Sequence, residues 1–64
     1  QSSVTDKLTP MEYSIAMLAS KGWTNQEIAK QLSLSPNTIK HYLSRIFHLL
    51  DIEKREELKP FVNK

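Results

Sequence analysis

Three helix-start signals crowd into residues 9–38, and they restrict the fold more than any other feature of the chain. Thr9-Pro10-Met11-Glu12 joins a capping threonine, a proline suited to the first helical position and a glutamate able to close a capping box. Thr24-Asn25-Gln26-Glu27 repeats the Thr-x-x-Glu box, and Ser35-Pro36-Asn37-Thr38 repeats the cap followed by proline. The period-two alternation of strands is absent, and Gly22 is the only glycine. An all-α fold follows, a small four-helix bundle.

Each start opens an apolar stripe. The first helix carries Met11, Ile15, Leu18 and Ala19, with Leu8 placed to staple its start and Gly22 to end it. Lys21 sits favourably at that C-terminus. The second helix, about two turns long, carries Ile28, Ala29 and Leu32, with Trp23 packing over the joint before it. Only Ser33 and Leu34 separate it from the third cap, which forces a tight turn with Leu34 tucked inward. The third helix, about residues 36–50, carries Ile39, Leu43, Ile46 and Leu50 and ends near Leu50 or Asp51. A fourth is expected from Glu53 to about Val62 around Leu58, with Pro60 removing a backbone donor and kinking its second turn. Residues 1–7 are polar and read as a linker or disordered tail, leaving 8–64 as the domain. The opening Gln1-Ser2-Ser3, without Met, reads as the cut end of a longer protein.

Composition narrows the function. A 64-residue chain with 39% hydrophobic and 25% charged residues has an ordinary globular balance, so disorder throughout is not expected. With no cysteine, disulfide staples and cysteine-based zinc sites are excluded. His41 and His48 alone do not make a structural metal site, and neither has an acid or nucleophile beside it in sequence for catalysis. No enzyme activity, metal or cofactor is expected. No apolar run approaches a membrane span and no signal peptide is present, which makes the cytoplasm the expected location.

The charge is unevenly spread. Residues 1–27 sum to −1, residues 28–50 to +3 and residues 51–64 to zero. The middle third holds Lys30, Lys40 and Arg45 and no acid, so a polyanion would be drawn there. The second and third helices also have helix-turn-helix spacing. Ala29 stands where the helices cross, Ser33 falls in the turn four residues later, and Ile39 plugs the angle between them. At about 100° per residue, Leu43, Ile46 and Leu50 lie within about 40° of Ile39. Asn37, His41, Ser44 and His48 cluster on the opposite side, with Lys40 and Arg45 on its flanks. Such a face offers hydrogen-bonding groups to base edges in a major groove. Asn37 has a second role open to it as a local cap partner. Arg45 has two candidate partners: a phosphate, or Asp51 or another neighbour. Arg55 is expected to pair with an acid such as Glu27, and Glu12 and Glu27 are read as cap residues.

With these residues assembled, the chain resembles the LuxR-type helix-turn-helix domain of bacterial transcription regulators over residues 8–62. Leu8-Thr9-Pro10 with Glu12 resembles the family's opening. Gly22-Trp23-Thr24-Asn25-Gln26-Glu27-Ile28-Ala29 resembles its Gly-x-Ser-Asn-x-Glu-Ile-Ala segment, with Thr for Ser. Leu34-Ser35 and Thr38-Ile39-Lys40 resemble its Ser-x-x-Thr-Val-Lys core, and Arg55 with Leu58 its closing Arg-x-x-Leu. The resemblance implies a third helix that reads DNA and a fourth that serves dimerisation on a two-fold operator. It implies Lys40 as the main phosphate or base contact, His41 and Ser44 at base edges, and Thr38 and Asn25 on the backbone. It also implies an upstream receiver or ligand-sensing domain. Four departures stand out: Tyr42 for a common His, Ser33 for a common Gly, Leu49 for a common Lys, and Lys59-Pro60 inside the fourth helix.

The expected function is therefore sequence-specific binding of double-stranded DNA by the output domain of a transcription regulator in the bacterial nucleoid. The DNA-binding set is Lys40, His41, Ser44, Thr38, Asn37, Arg45, His48, Asn25 and Lys30, and the partner on DNA is a second copy of the chain. Two alternatives are a protein-interaction or dimerisation bundle that does not touch DNA, and a sigma-factor-like promoter-recognition domain.

Overall fold

A computed structural model describes residues 8–62. The expected tail, residues 1–7, and the last two residues of the expected domain lie outside the described residues. The elements are α1 (Pro10–Ser20), α2 (Asn25–Leu32), α3 (Pro36–Leu50), a 3-10 turn (Arg55–Leu58) and α4 (Lys59–Val62). No strand occurs among the described residues, so the all-α expectation holds.

The three start signals act as their chemistry predicts. In α1 the Thr9 N–H donates to Glu12 Oε1 at 3.0 Å and the Glu12 N–H donates to Thr9 Oγ1 at 3.2 Å. In α2, Thr24 and Glu27 make the same reciprocal pair at 2.9 and 3.1 Å. Ser35 Oγ accepts the Thr38 N–H at 3.1 Å to cap α3. Each box satisfies two backbone donors that a helix start leaves without partners.

The three helix ends share one geometry, with unequal residues supplying it. Gly22 (φ +94°), Ser33 (φ +60°) and Asp51 (φ +57°) take positive φ after α1, α2 and α3. In each case the next N–H reaches back to a carbonyl five residues earlier: Trp23 to Leu18 at 3.2 Å, Leu34 to Ala29 at 2.8 Å, Ile52 to Phe47 at 2.9 Å. These are Schellman closures, which favour glycine at the left-handed position. Ser33 and Asp51 hold that conformation with a Cβ, at a cost of about 1–2 kcal/mol each.

The core draws on every layer of the chain. Ile15 of α1, Ile28 of α2, Ile39 and Ile46 of α3 and Leu58 of the 3-10 turn are its largest fully buried side chains. Ala29 of α2 is 2% exposed, and α2 packs against α3. α3 packs against both α1 and α2, and the C-terminal segment closes on α1. There the Tyr13 hydroxyl donates to the Val62 carbonyl at 3.4 Å.

Two expectations need correction. The buried residues of α1 are Glu12, Ile15, Ala16 and Ala19, whereas Met11 is 39% exposed and Leu18 only half-buried. Ile15 and Ala19 keep their expected places, while Glu12 and Ala16 are buried where Met11 and Leu18 were expected, so a carboxylate opens the stripe. The fourth helix is not continuous from Glu53. A 3-10 turn comes first, with Glu57 Oε2 accepting the N–H groups of Glu53 and Lys54 at 3.1 and 3.0 Å. Pro60 then falls second in α4, where a missing N–H costs little.

Candidate nucleic-acid interface

α3 is 15 residues long, and its inward and outward faces separate as the periodicity predicts. Ile39, Leu43, Ile46 and Leu50 are buried. Asn37, Lys40, His41, Ser44, Arg45 and His48 are exposed, and Thr38 is half-buried. Lys40 and Arg45 stand about 70° to either side of the middle of the polar stripe. A helix lying in a major groove has a phosphate strand along each flank, and this arrangement presents a cation to both. Lys30 is exposed on α2.

Several of these side chains already have protein partners. The Thr38 hydroxyl shares a 2.9 Å hydrogen bond with Ser35 Oγ at the helix start. Asn37 makes no cap bond; Ser35 and Thr38 do that work. Arg45 does not pair with Asp51. Its Nε donates to Glu12 Oε2 at 2.8 Å, across from α3 to α1. The Glu12 side chain is 4% exposed and the Arg45 side chain 68%. Asp51 is the left-handed residue that closes α3.

Asn25 is half-buried at the first position of α2, and its Oδ1 accepts from Arg55 Nη2. Arg55 Nη1 donates to the Trp23 carbonyl at 2.7 Å. The expected Arg55–Glu27 pair is therefore corrected. Glu27 is spent on its own cap, and Arg55 instead ties the C-terminal segment to the loop before α2. An arginine only donates, so the Asn25 oxygen faces it and the Asn25 NH2 is left for another acceptor.

Sequence reasoning missed the Glu12–Arg45 link. Its signal lay in the α1 pattern: Glu12 completes the i, i+3, i+4, i+7 spacing with Ile15, Ala16 and Ala19, which puts it on the face that meets α3. Among the described residues, no three His, Asp or Glu side chains gather as a metal site would require. No helix of the described residues is long and apolar enough to cross a membrane.

A tight-turn helix pair whose second member shows a cationic outer face, free of acids along its own length, defines a helix-turn-helix DNA-binding domain. The comparisons with known proteins narrow this further. The family described as bacterial regulatory proteins, luxR family, matches residues 6–61. The chain belongs to that family, and it is the DNA-binding output domain of a transcription regulator. Over 52 residues it is 40% identical to the two-component response regulator PprB of Pseudomonas aeruginosa, covering 81% of this chain and 19% of that protein. Over another 52 it is 46% identical to the transcriptional regulatory protein ComA of Bacillus subtilis, covering 81% and 24%. Over 54 it is 37% identical to the DNA-binding transcriptional activator DevR/DosR of Mycobacterium tuberculosis, covering 84% and 25%. The chain thus spans a quarter or less of the length of these relatives. No solved structure matches it.

Proposed function

We propose that α3 enters the major groove of double-stranded DNA while α2 lies across the backbone. The observation that carries this is the exposed face of α3, with four hydrogen-bonding side chains along it and Lys40 and Arg45 on its flanks. Asn37, His41, Ser44 and His48 discriminate bases. Lys40 and Arg45 meet phosphates on opposite sides. Thr38, Asn25 and Lys30 add backbone contacts, Asn25 through its NH2 group. Two copies bind half-sites about one helical turn apart, and the C-terminal segment is the place for their mutual contact. Because the relative PprB is a two-component response regulator of which this chain spans 19%, the domain works under an upstream receiver, in the bacterial cytoplasm.

Lys40→Ala tests the reading directly. It should weaken binding to duplex DNA and lower the slope of log affinity against log salt by about one unit. An unchanged affinity and slope would remove Lys40 from the interface. A chain that shows no salt-sensitive binding to duplex DNA at all would leave the interaction-bundle alternative standing.

A further inference from the structure

We infer that Glu12 is a positioning residue for DNA binding: its carboxylate holds Arg45 so that the guanidinium's terminal NH2 groups face a phosphate. This rests on the reading of α3 as the groove helix and adds to it a residue from outside the helix-turn-helix.

The geometry divides the Glu12 carboxylate between two tasks. Oε1 accepts the Thr9 N–H and closes the α1 cap; Oε2 accepts Arg45 Nε. The carboxylate is almost fully buried, yet both oxygens are satisfied, and its cation lies on the exposed side of another helix. A buried acid tied to an exposed base is an unequal pair. The acid is fixed by its cap and by the core around it; the base is the member free to be oriented. Binding through Nε also settles which part of the guanidinium remains. Arginine carries five N–H donors in a planar fork, and using the Nε edge leaves the outer groups available, in the arrangement that meets a phosphate bidentately. Among the described residues these outer groups have no hydrogen-bond partner in the protein. A long exposed arginine ordinarily gives up rotamer freedom when it binds. Here that ordering is already in place before DNA arrives.

The chemistry of the cap supplies a clean test. Glutamine closes a capping box as well as glutamate does. It has one acceptor oxygen and one donor nitrogen, so once its oxygen serves Thr9 its NH2 faces Arg45 Nε, donor against donor. Glu12→Gln thus keeps the helix start and removes the hold on Arg45. It also raises the net positive charge by one, which by itself tightens binding to a polyanion. The two effects have opposite signs.

The experiment uses the 64-residue chain, a short fluorescein-labelled duplex of mixed sequence and anisotropy titrations across a salt series. Glu12→Gln should bind about five-fold more weakly despite its added charge, the equivalent of one hydrogen bond. Arg45→Gln should bind more weakly with a salt slope lower by about one unit. The double variant should be no weaker than Arg45→Gln alone. Glu12→Gln binding as tightly as the parent or more tightly overturns the inference. So does an Arg45→Gln slope equal to the parent's, or a double variant weaker than Arg45→Gln. If Glu12→Gln fails to fold by circular dichroism, Arg45→Lys takes its place. That variant keeps the charge but cannot hold Glu12 and offer a fork outward, so it too should bind more weakly, and undiminished binding overturns the inference. Lys40→Ala separates the two readings. If it weakens binding while the Glu12 and Arg45 variants do not, only the present inference falls; if the parent itself shows no salt-sensitive binding, both fall.

Discussion

The inward and outward faces of α3 divide the labour of this molecule. The inward face is Ile39, Leu43, Ile46 and Leu50, closed against α1 and α2. The outward face is polar and open, and among its members only Thr38 and Arg45 have side-chain hydrogen bonds to other described residues. One helix therefore holds the fold with one side and, in the reading proposed above, meets DNA with the other. The exception is instructive. Arg45 belongs to the outer side by its exposure but to the inner side by its bond to Glu12. Stability and recognition meet at that one pair, so it is where a single substitution should disturb both.

The inward face should respond most. Ile46→Ala removes a fully buried side chain from α3 and should cost about 2–5 kcal/mol, read by urea unfolding. In so small a domain that is a large part of the whole stability. A loss well under 1 kcal/mol would mean that the two faces are not distinct. A smaller penalty is expected from the opposite wall. Ala29→Leu overpacks the α2–α3 crossing and should cost roughly 1–3 kcal/mol; a variant as stable as its parent would refute the close approach there. The smallest stability effect belongs outside. Lys40→Ala should change unfolding free energy by about 0.5 kcal/mol or less while weakening DNA binding. A Lys40 variant that unfolds early would blur the comparison by giving the outer face a structural task.

What could be read from the residues was what the chain decides locally. The caps at Thr9, Thr24 and Ser35 are written within four residues each, and the α3 stripe repeats over fifteen. Both appear in the structure within a residue of expectation. In α1, Ile15 and Ala19 are buried as the spacing predicts, but Glu12 and Ala16 replace Met11 and Leu18, because the cap glutamate also sits on the buried face. A carboxylate can cap its helix with one oxygen and reach a neighbouring helix with the other; spacing places Glu12 on the face toward α3 but does not name Arg45 as its partner. The polar links across the molecule lay beyond reach for a different reason. Arg45 and Glu12 are 33 residues apart, and Arg55 and Asn25 are 30 apart. Such pairings depend on how helices are placed relative to one another, which the periodicity of any single helix leaves open. Pro60 signals a break in the last helix; the 3-10 turn before it, which carries the fully buried Leu58, has no signal of its own in the sequence.

Arg55 reaches back to the Trp23 carbonyl and to Asn25, and Leu58 beside it fills the centre of the molecule. The segment that follows α3 in the chain is thus the one that fastens the start of α2. α2 and α3 are therefore made before the residues that clasp them, and a chain cut short ahead of Arg55 would lose both bonds at once.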